Sequence, residues 1–116
     1  MELKTSLSNG VYEIILNRPE VFNSFNQSMA FSLQNELDFC ASNNDIRVVV
    51  ISGAGKAFCA GQDLAEATDP NGPKLNCIVK EHYNPIITKI RNLEKPVIAA
   101  VNGVAAGAGA NIALAC

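Results

Sequence analysis

The chain has 116 residues, 48% hydrophobic and 17% charged, with a net charge of −2, a composition that fits one globular α/β domain or part of one. It carries no basic block, so nucleic acid is not an expected partner. Cys40, Cys59, Cys77 and Cys116 form no CxxC pair and His82 is the only histidine, which argues against a structural zinc site; Glu2 and Lys4 interrupt any apolar leader, so reduced thiols in a cytoplasmic protein are expected.

Leu3–Ser8 alternates apolar and polar side chains, Asn9-Gly10 follows, and Val11–Leu16 alternates again. An Asn-Gly step between two such runs predicts a hairpin, because both turn residues must accept positive φ. Asn17-Arg18-Pro19 closes the second strand. From about Gln27 to Ser42 the apolar Met29, Leu33, Leu37 and Cys40 recur every three or four positions, which predicts a helix with Asn26 as its N-cap. Arg47–Ser52, with Val48, Val49, Val50 and Ile51 in succession, reads as a strand buried on both faces.

The loop GAGKAFCAGQDL invites a phosphate-binding reading that the spacing refuses. The third glycine of GxGxxG would fall on Phe58, and Gly55-Lys56 is followed by Ala57, with no glycine at Val50 for a P-loop. Gly61-Gln62-Asp63-Leu64 instead predicts a helix start, with Asp63 in the first turn at the positive end of the dipole. Thr68–Lys74 is a loop by its Pro, Gly and Asn content. A long helix is expected from about Leu75 to Leu93, with Ile78, Val79, His82, Ile86, Ile90 and Leu93 on one buried stripe. Pro85 should kink it or divide it at Asn84.

Lys95-Pro96 stops that helix. Val97–Val101 reads as another buried strand, Asn102-Gly103 as a turn, and a helix restarts near Gly107 or Ala108. The expected order is β-β-α-β-α-α-β-α, with no internal repeat, and an α/β layered fold follows. The last stretch, VIAAVNGVAAGAGANIALAC, is uncharged. As one helix it would span ~30 Å, enough for a bilayer. Yet Asn102 and Asn111 would lack partners in lipid, and Ala and Gly supply little transfer energy. Its glycines fit better a backbone that comes close to a bound ligand.

FCAGQDL at Phe58–Leu64 and KPVIAAVNGVAAGAGANIALAC at Lys95–Cys116 resemble the crotonase (enoyl-CoA hydratase/isomerase) superfamily, and LNRPEVFNSFN at Leu16–Asn26 fits its early segment. Within it, FCAGQDL, the DPNGP loop and Tyr83-Asn84-Pro85 look most like the ring 1,2-epoxyphenylacetyl-CoA isomerase branch. The resemblance covers essentially the whole chain. It implies a ClpP/crotonase-like spiral of ββα units, and chemistry in which two backbone N–H groups stabilise a thioester enolate. Matched motif to motif, these donors fall on Gln62 and Ala108. Ala60 offers backbone contacts to the adenine end of CoA, Gly61, Asp63 and Leu64 line that pocket, and Val21 with Phe22 lies along the CoA path. Both donors stand where a loop enters a helix, so unsatisfied N–H groups point at the oxygen. Gly107 and Gly109, flanking Ala108, would let the backbone approach the thioester.

Hydratases of the family carry a glutamate at the position of Asn111. An amide does not titrate in the working range and cannot activate water, so an isomerase is expected rather than a hydratase. The resemblance puts its acid/base carboxylate downstream of this chain. The chain, residues 1–116, is therefore expected to be the N-terminal, C-terminally truncated part of a longer enzyme, ending in mid-helix at Cys116 with apolar surface bare. CoA is part of the substrate, and no separate cofactor or metal is implied; relatives suggest a homotrimer or hexamer and no membrane partner. The other titratable groups have plain structural readings: His82 a packed helix-face histidine, Cys59 an inert thiol, Asp63 a helix-start residue, Glu66 and Glu81 solvated faces. A conventional hydratase and a non-catalytic CoA-binding fragment stand as alternatives. Asn111 is open between a hydrogen bond within the core and orienting substrate.

Overall fold

A computed structural model describes residues 1–116. β1 (Leu3–Ser8) and β2 (Val11–Leu16) form the expected antiparallel hairpin, with Ser8 opposite Val11. Its turn residues Asn9 and Gly10 take φ of 52° and 84°, the geometry that matches the twist of the flanking strands. After a 3-10 turn at Pro19–Val21 comes α1 (Gln27–Ser42). Asn26 caps it as the sequence predicts, its Oδ1 accepting from the Met29 N–H at 2.9 Å, and Met29, Ala30, Leu33, Leu37 and Cys40 are its buried face.

α1 carries the chain across to β3 (Val48–Gly53), parallel to β2, and β5 (Val97–Ala100) pairs parallel with β3, giving the order β1-β2-β3-β5. Tyr12, Ile14 and Leu16 of β2 and Val49 and Ile51 of β3 point to the same buried side, in one core with α1. The strands are less enclosed than expected. Val48 and Val50 are half-buried rather than buried on the second face, and in β5 half-buried Val97 and Ala99 alternate with exposed Ile98 and Ala100. β5 is the outermost strand and helices cover only one side of it, so alternation replaces two-sided burial.

The sequence reading misses two short strands, taking both for loop. β4 (Ala57–Cys59) and β6 (Val104–Ala105) pair in parallel in a second sheet. With α2 (Leu64–Ala67) and α5 (Ala108–Ala115) in place, the chain is three successive ββα turns. The first strands of the second and third turns join the large sheet and the second strands form the small one. This is the spiral that the resemblance implies. The uncharged stretch is thereby divided among β5, β6 and α5, and no helix is long and apolar enough to cross a membrane.

The helix 75–92 is continuous, so Pro85 does not divide it at Asn84, which corrects one of the two outcomes expected of that proline. α3 (Leu75–Cys77) runs into a π-helical segment (Ile78–Tyr83) and on into α4 (Asn84–Asn92). Asn84 N–H donates to Val79 O, five residues back. The Glu81 carbonyl, which Pro85 cannot reach with an N–H, accepts from Gln34 Nε2 of α1 at 2.8 Å. Proline is tolerated because a side chain replaces its missing donor. The wider turn also moves Val79 off the buried stripe: Ile78, His82, Ile86 and Ile90 are buried, Val79 is exposed and Leu93 half-buried.

Candidate active site

The small sheet decides where the two segments that carry the expected donors come together. In the β4–β6 pair Cys59 lies opposite Ala105, and Ala106 N–H donates to Cys59 O at 3.0 Å. Gln62 and Ala108 each lie three residues beyond one member of that pair, at equivalent places in consecutive turns of the spiral. Cys59-Ala60-Gly61-Gln62 and Ala105-Ala106-Gly107-Ala108 share a plan of strand end, alanine and a glycine with positive φ, 112° at Gly61 and 54° at Gly107. The expectation of no internal repeat is amended by this four-residue echo.

The two segments touch backbone to backbone. A Cβ built on buried Gly61 would lie 3.7 Å from the Ala108 nitrogen and 3.1 Å from Ala106 O. One on Gly109 would fall 2.2 Å from Cys59 O and 2.8 Å from Cys59 Cβ, so only glycine lets α5 sit this close to β4. Around Gly107 nothing lies within 4 Å of where its Cβ would be; its positive φ of 54° suits glycine at the turn, and its open side lies on the cavity wall described below.

Gln62 N–H has no backbone acceptor. In the bridge that Gln62 makes with Phe25, the bonds run from Phe25 N–H to Gly61 O (2.7 Å) and from Asp63 N–H to Phe25 O (2.8 Å). Ala108 opens α5 and has no helical carbonyl four residues back. The Gln62 side chain is tied down on both ends: Oε1 accepts from Tyr83 Oη–H at 2.5 Å, and Nε2 donates to Asp63 O at 3.2 Å and Glu66 Oε1 at 3.3 Å. Glu66, expected as a solvated face, is half-buried, and its Oε2 accepts from Gln27 N–H at 3.0 Å.

Beside these segments a cavity of about 380 Å³ is walled by Ala108, Gly107, Asn111 and Ile112 on one side and by Val79, Tyr83, Asn84 and Ile87 on the other. No carboxylate or ammonium group lines it. Asn111 is exposed on this wall rather than bonded within the core. Gln62 does not line the cavity; its link to it is Tyr83. The Tyr83 ring packs edge-on to Phe25 with centroids 6.0 Å apart, and burial raises its phenol above the ordinary range, so it remains a donor.

The expected CoA-side residues come from the 3-10 turn and from the segment around Gln62. Val21 and Phe22 are exposed at the end of the 3-10 turn, Phe22 with φ of 54°. Phe22 O accepts from Ala60 N–H at 3.0 Å, which leaves the Ala60 carbonyl as its backbone group for a ligand. Leu64 is 73% exposed at the start of α2. Asp63 is the N-cap of α2, one step before the first turn where it was expected. Its Oδ1 accepts from Ala65 N–H (2.9 Å) and Glu66 N–H (3.3 Å), and Oδ2 from Arg18 (2.9 Å). Burial raises its pKa, but the Arg18 hydrogen bond and those two N–H groups outweigh burial and hold the carboxyl below the usual range.

Sequence reasoning missed the residues that hold this region. Asn23, fully buried with φ of 57°, accepts from Arg18 N–H at 2.8 Å and donates to Ala54 O and Ala57 O, both at 2.9 Å. Arg18 also donates to Ser24 O at 2.6 Å. Asparagine's tolerance of the left-handed region was the available signal, but its partners are distant in sequence. The structural readings of the other groups agree with their surroundings. His82 packs edge-on against Phe31 of α1, centroids 5.2 Å apart, away from the cavity wall. Cys59 is fully buried, and desolvation pushes its thiol up to about 11. Glu81 is exposed.

A spiral of ββα turns whose backbone leaves two N–H groups at neighbouring helix entrances defines a class, and comparison with known proteins agrees with it. Residues 6–116 match the family model described as enoyl-CoA hydratase/isomerase, and the chain belongs to that family, the crotonases. The 1,2-epoxyphenylacetyl-CoA isomerase of Escherichia coli is 48% identical over 111 residues, covering 93% of this chain and 42% of that protein. A Rhodobacter capsulatus protein described as "Probable enoyl-CoA hydratase" is 42% identical over 113 residues, covering 97% and 43%. The solved enoyl-CoA hydratase of Mycobacterium smegmatis superposes with a TM-score of 0.90 at 33% identity, covering all of this chain and 46% of that one. The chain thus spans under half the length of these relatives.

Proposed function

We propose that this chain supplies the thioester-binding part of an acyl-CoA isomerase, with 1,2-epoxyphenylacetyl-CoA to oxepin-CoA as its reaction. The observation that carries the reading is the backbone contact of the Gly61–Gln62 segment with the start of α5, where a Cβ on Gly61 would lie 3.7 Å from the Ala108 nitrogen, beside a cavity whose wall holds the amide of Asn111 and no carboxylate. The thioester oxygen would sit between the Gln62 and Ala108 N–H groups and take up negative charge as the acyl ring rearranges. Fixed main-chain donors at helix entrances stabilise that charge without reorganising. An apolar cavity of about 380 Å³ suits an aromatic acyl group. Val21, Phe22, Ala60, Gly61, Asp63 and Leu64 form the CoA side, with the Arg18–Asp63 pair (2.9 Å) holding the loop. The proton carrier is a carboxylate outside the cavity-lining residues described above. The cellular setting of this reading is cytoplasmic, in a trimer or hexamer, with CoA as part of the substrate and no separate cofactor.

Turnover assays on the complete gene product test it. The expected result is consumption of the aromatic epoxide thioester, with little hydration of a short enoyl-CoA. Efficient hydration by the native protein, with Asn111→Glu making little difference, would favour the hydratase reading instead. No turnover of either thioester refutes both.

A further inference from the structure

We propose that Asn84 is a specificity-determining residue. With Asn111 on the facing wall, its side-chain amide binds an uncharged oxygen carried by the acyl ring, so the cavity takes oxygenated aromatic acyl groups in preference to bare ones. The proposal rests on the reading of this cavity as the acyl site of a thioester isomerase, and names what that site selects.

The π-helical segment is what brings Asn84 to the cavity. Five α-helical residues turn through about 500°, which would leave Asn84 about 140° around the helix from Val79. Instead the Asn84 N–H bonds to Val79 O, five residues back, and the wide turn lets Val79, Tyr83 and Asn84 line one wall together. Other amides around the site are occupied. Gln62 is held by Tyr83, Asp63 and Glu66, Gln34 donates to Glu81 O and His82 O, and Asn102 is bonded to Gly53, Gly55 and Ala57. Asn84 and Asn111 are exposed, one on each wall, and neither side chain has a protein partner. The Tyr83 hydroxyl already donates to Gln62. The two amides are therefore the side-chain donors and acceptors left to a bound acyl group, among otherwise apolar side chains. The reach is consistent. Asn111 lies about 4.5 Å along α5 from Ala108, three residues on. In a phenylacetyl thioester, ring carbon 2 is three bonds from the thioester carbon, roughly 3–4 Å away. A neutral oxygen at that carbon can accept from both walls.

Calorimetric titration of the complete gene product with phenylacetyl-CoA and with 2-hydroxyphenylacetyl-CoA reads the preference as a ratio of dissociation constants. The wild type should favour the hydroxylated thioester about tenfold, the scale of two neutral hydrogen bonds made in place of water's. Asn84→Leu, at an exposed helical position with no side-chain bond to lose, should cut the ratio to about threefold, Asn111→Leu likewise, and the double variant to about one. Val79→Ala, on the same wall, should weaken both thioesters alike and keep the wild-type ratio. Binding of both thioesters by the wild type without preference overturns the proposal alone. So does an Asn84→Leu ratio equal to that of the wild type, or a ratio lost as fully in Val79→Ala. A wild type that binds neither thioester refutes the acyl-site reading itself, and the proposal with it.

Discussion

Gly109→Ala is the sharpest probe of how the two halves of the site are held together. The added Cβ would sit 2.2 Å from Cys59 O and 2.8 Å from both the Cys59 carbonyl carbon and Cβ. Ordinary contact for such atoms begins near ~3.5 Å, so α5 must retreat from β4 by roughly 1 Å. The obstructing atoms are mostly main chain, and no rotamer change relieves them. Overpacking of this kind costs about 1–3 kcal/mol in stability. Ala108 precedes Gly109 and moves with the helix, so a hydrogen bond of about 2.9 Å to the thioester oxygen would stretch to about 3.9 Å and be lost. Losing one donor of an oxyanion site costs about 3 kcal/mol in the barrier, a fall of roughly 10²-fold in kcat. The assay pairs a urea unfolding midpoint with kcat on the acyl-CoA substrate, both in the complete gene product. A variant with native stability and wild-type kcat would refute the contact and the placement of Ala108 together.

Three further outcomes are expected. Asn23→Leu removes bonds to Arg18 N–H, Ala54 O and Ala57 O in a buried left-handed position, and should lower unfolding stability by about 3 kcal/mol in denaturant titration. Asp63 has a depressed folded pKa, so its stabilisation is present above the unfolded value near ~pH 4 and is lost as pH falls through the folded pKa. The stability gap between wild type and Asp63→Asn should accordingly be largest at neutral pH and shrink in acid. In native-state alkylation at pH 8, Cys59 and Cys40, buried and with thiols pushed up to about 11, should label far more slowly than half-buried Cys77. Peptide mass mapping reads the order.

The one-dimensional pattern already contained the hairpin, α1 with its Asn26 cap, the loop 68–74 and the family motifs, because each depends on contacts within a few residues. Asn9-Gly10 must turn whatever surrounds it, and Met29, Leu33, Leu37 and Cys40 mark one helix face without knowing what covers it. Other features depend on partners far along the chain. Pro85 breaks a helix by local rules; here Gln34, on a different helix, answers the exposed Glu81 carbonyl and the helix continues. β4 and β6 are too short and too rich in small residues to show alternation, and each exists because the other pairs with it. The glycines around Ala108 were legible as close-approach residues, but only packing separates Gly109, pressed against Cys59, from Gly107, which meets nothing. Tertiary structure alone brings the Gly61–Gln62 segment against the start of α5. The sequence names two loops, and the Cys59–Ala105 register in consecutive turns of the spiral brings the two backbone segments into contact, because backbone pairing carries no side-chain signature for a sequence to display.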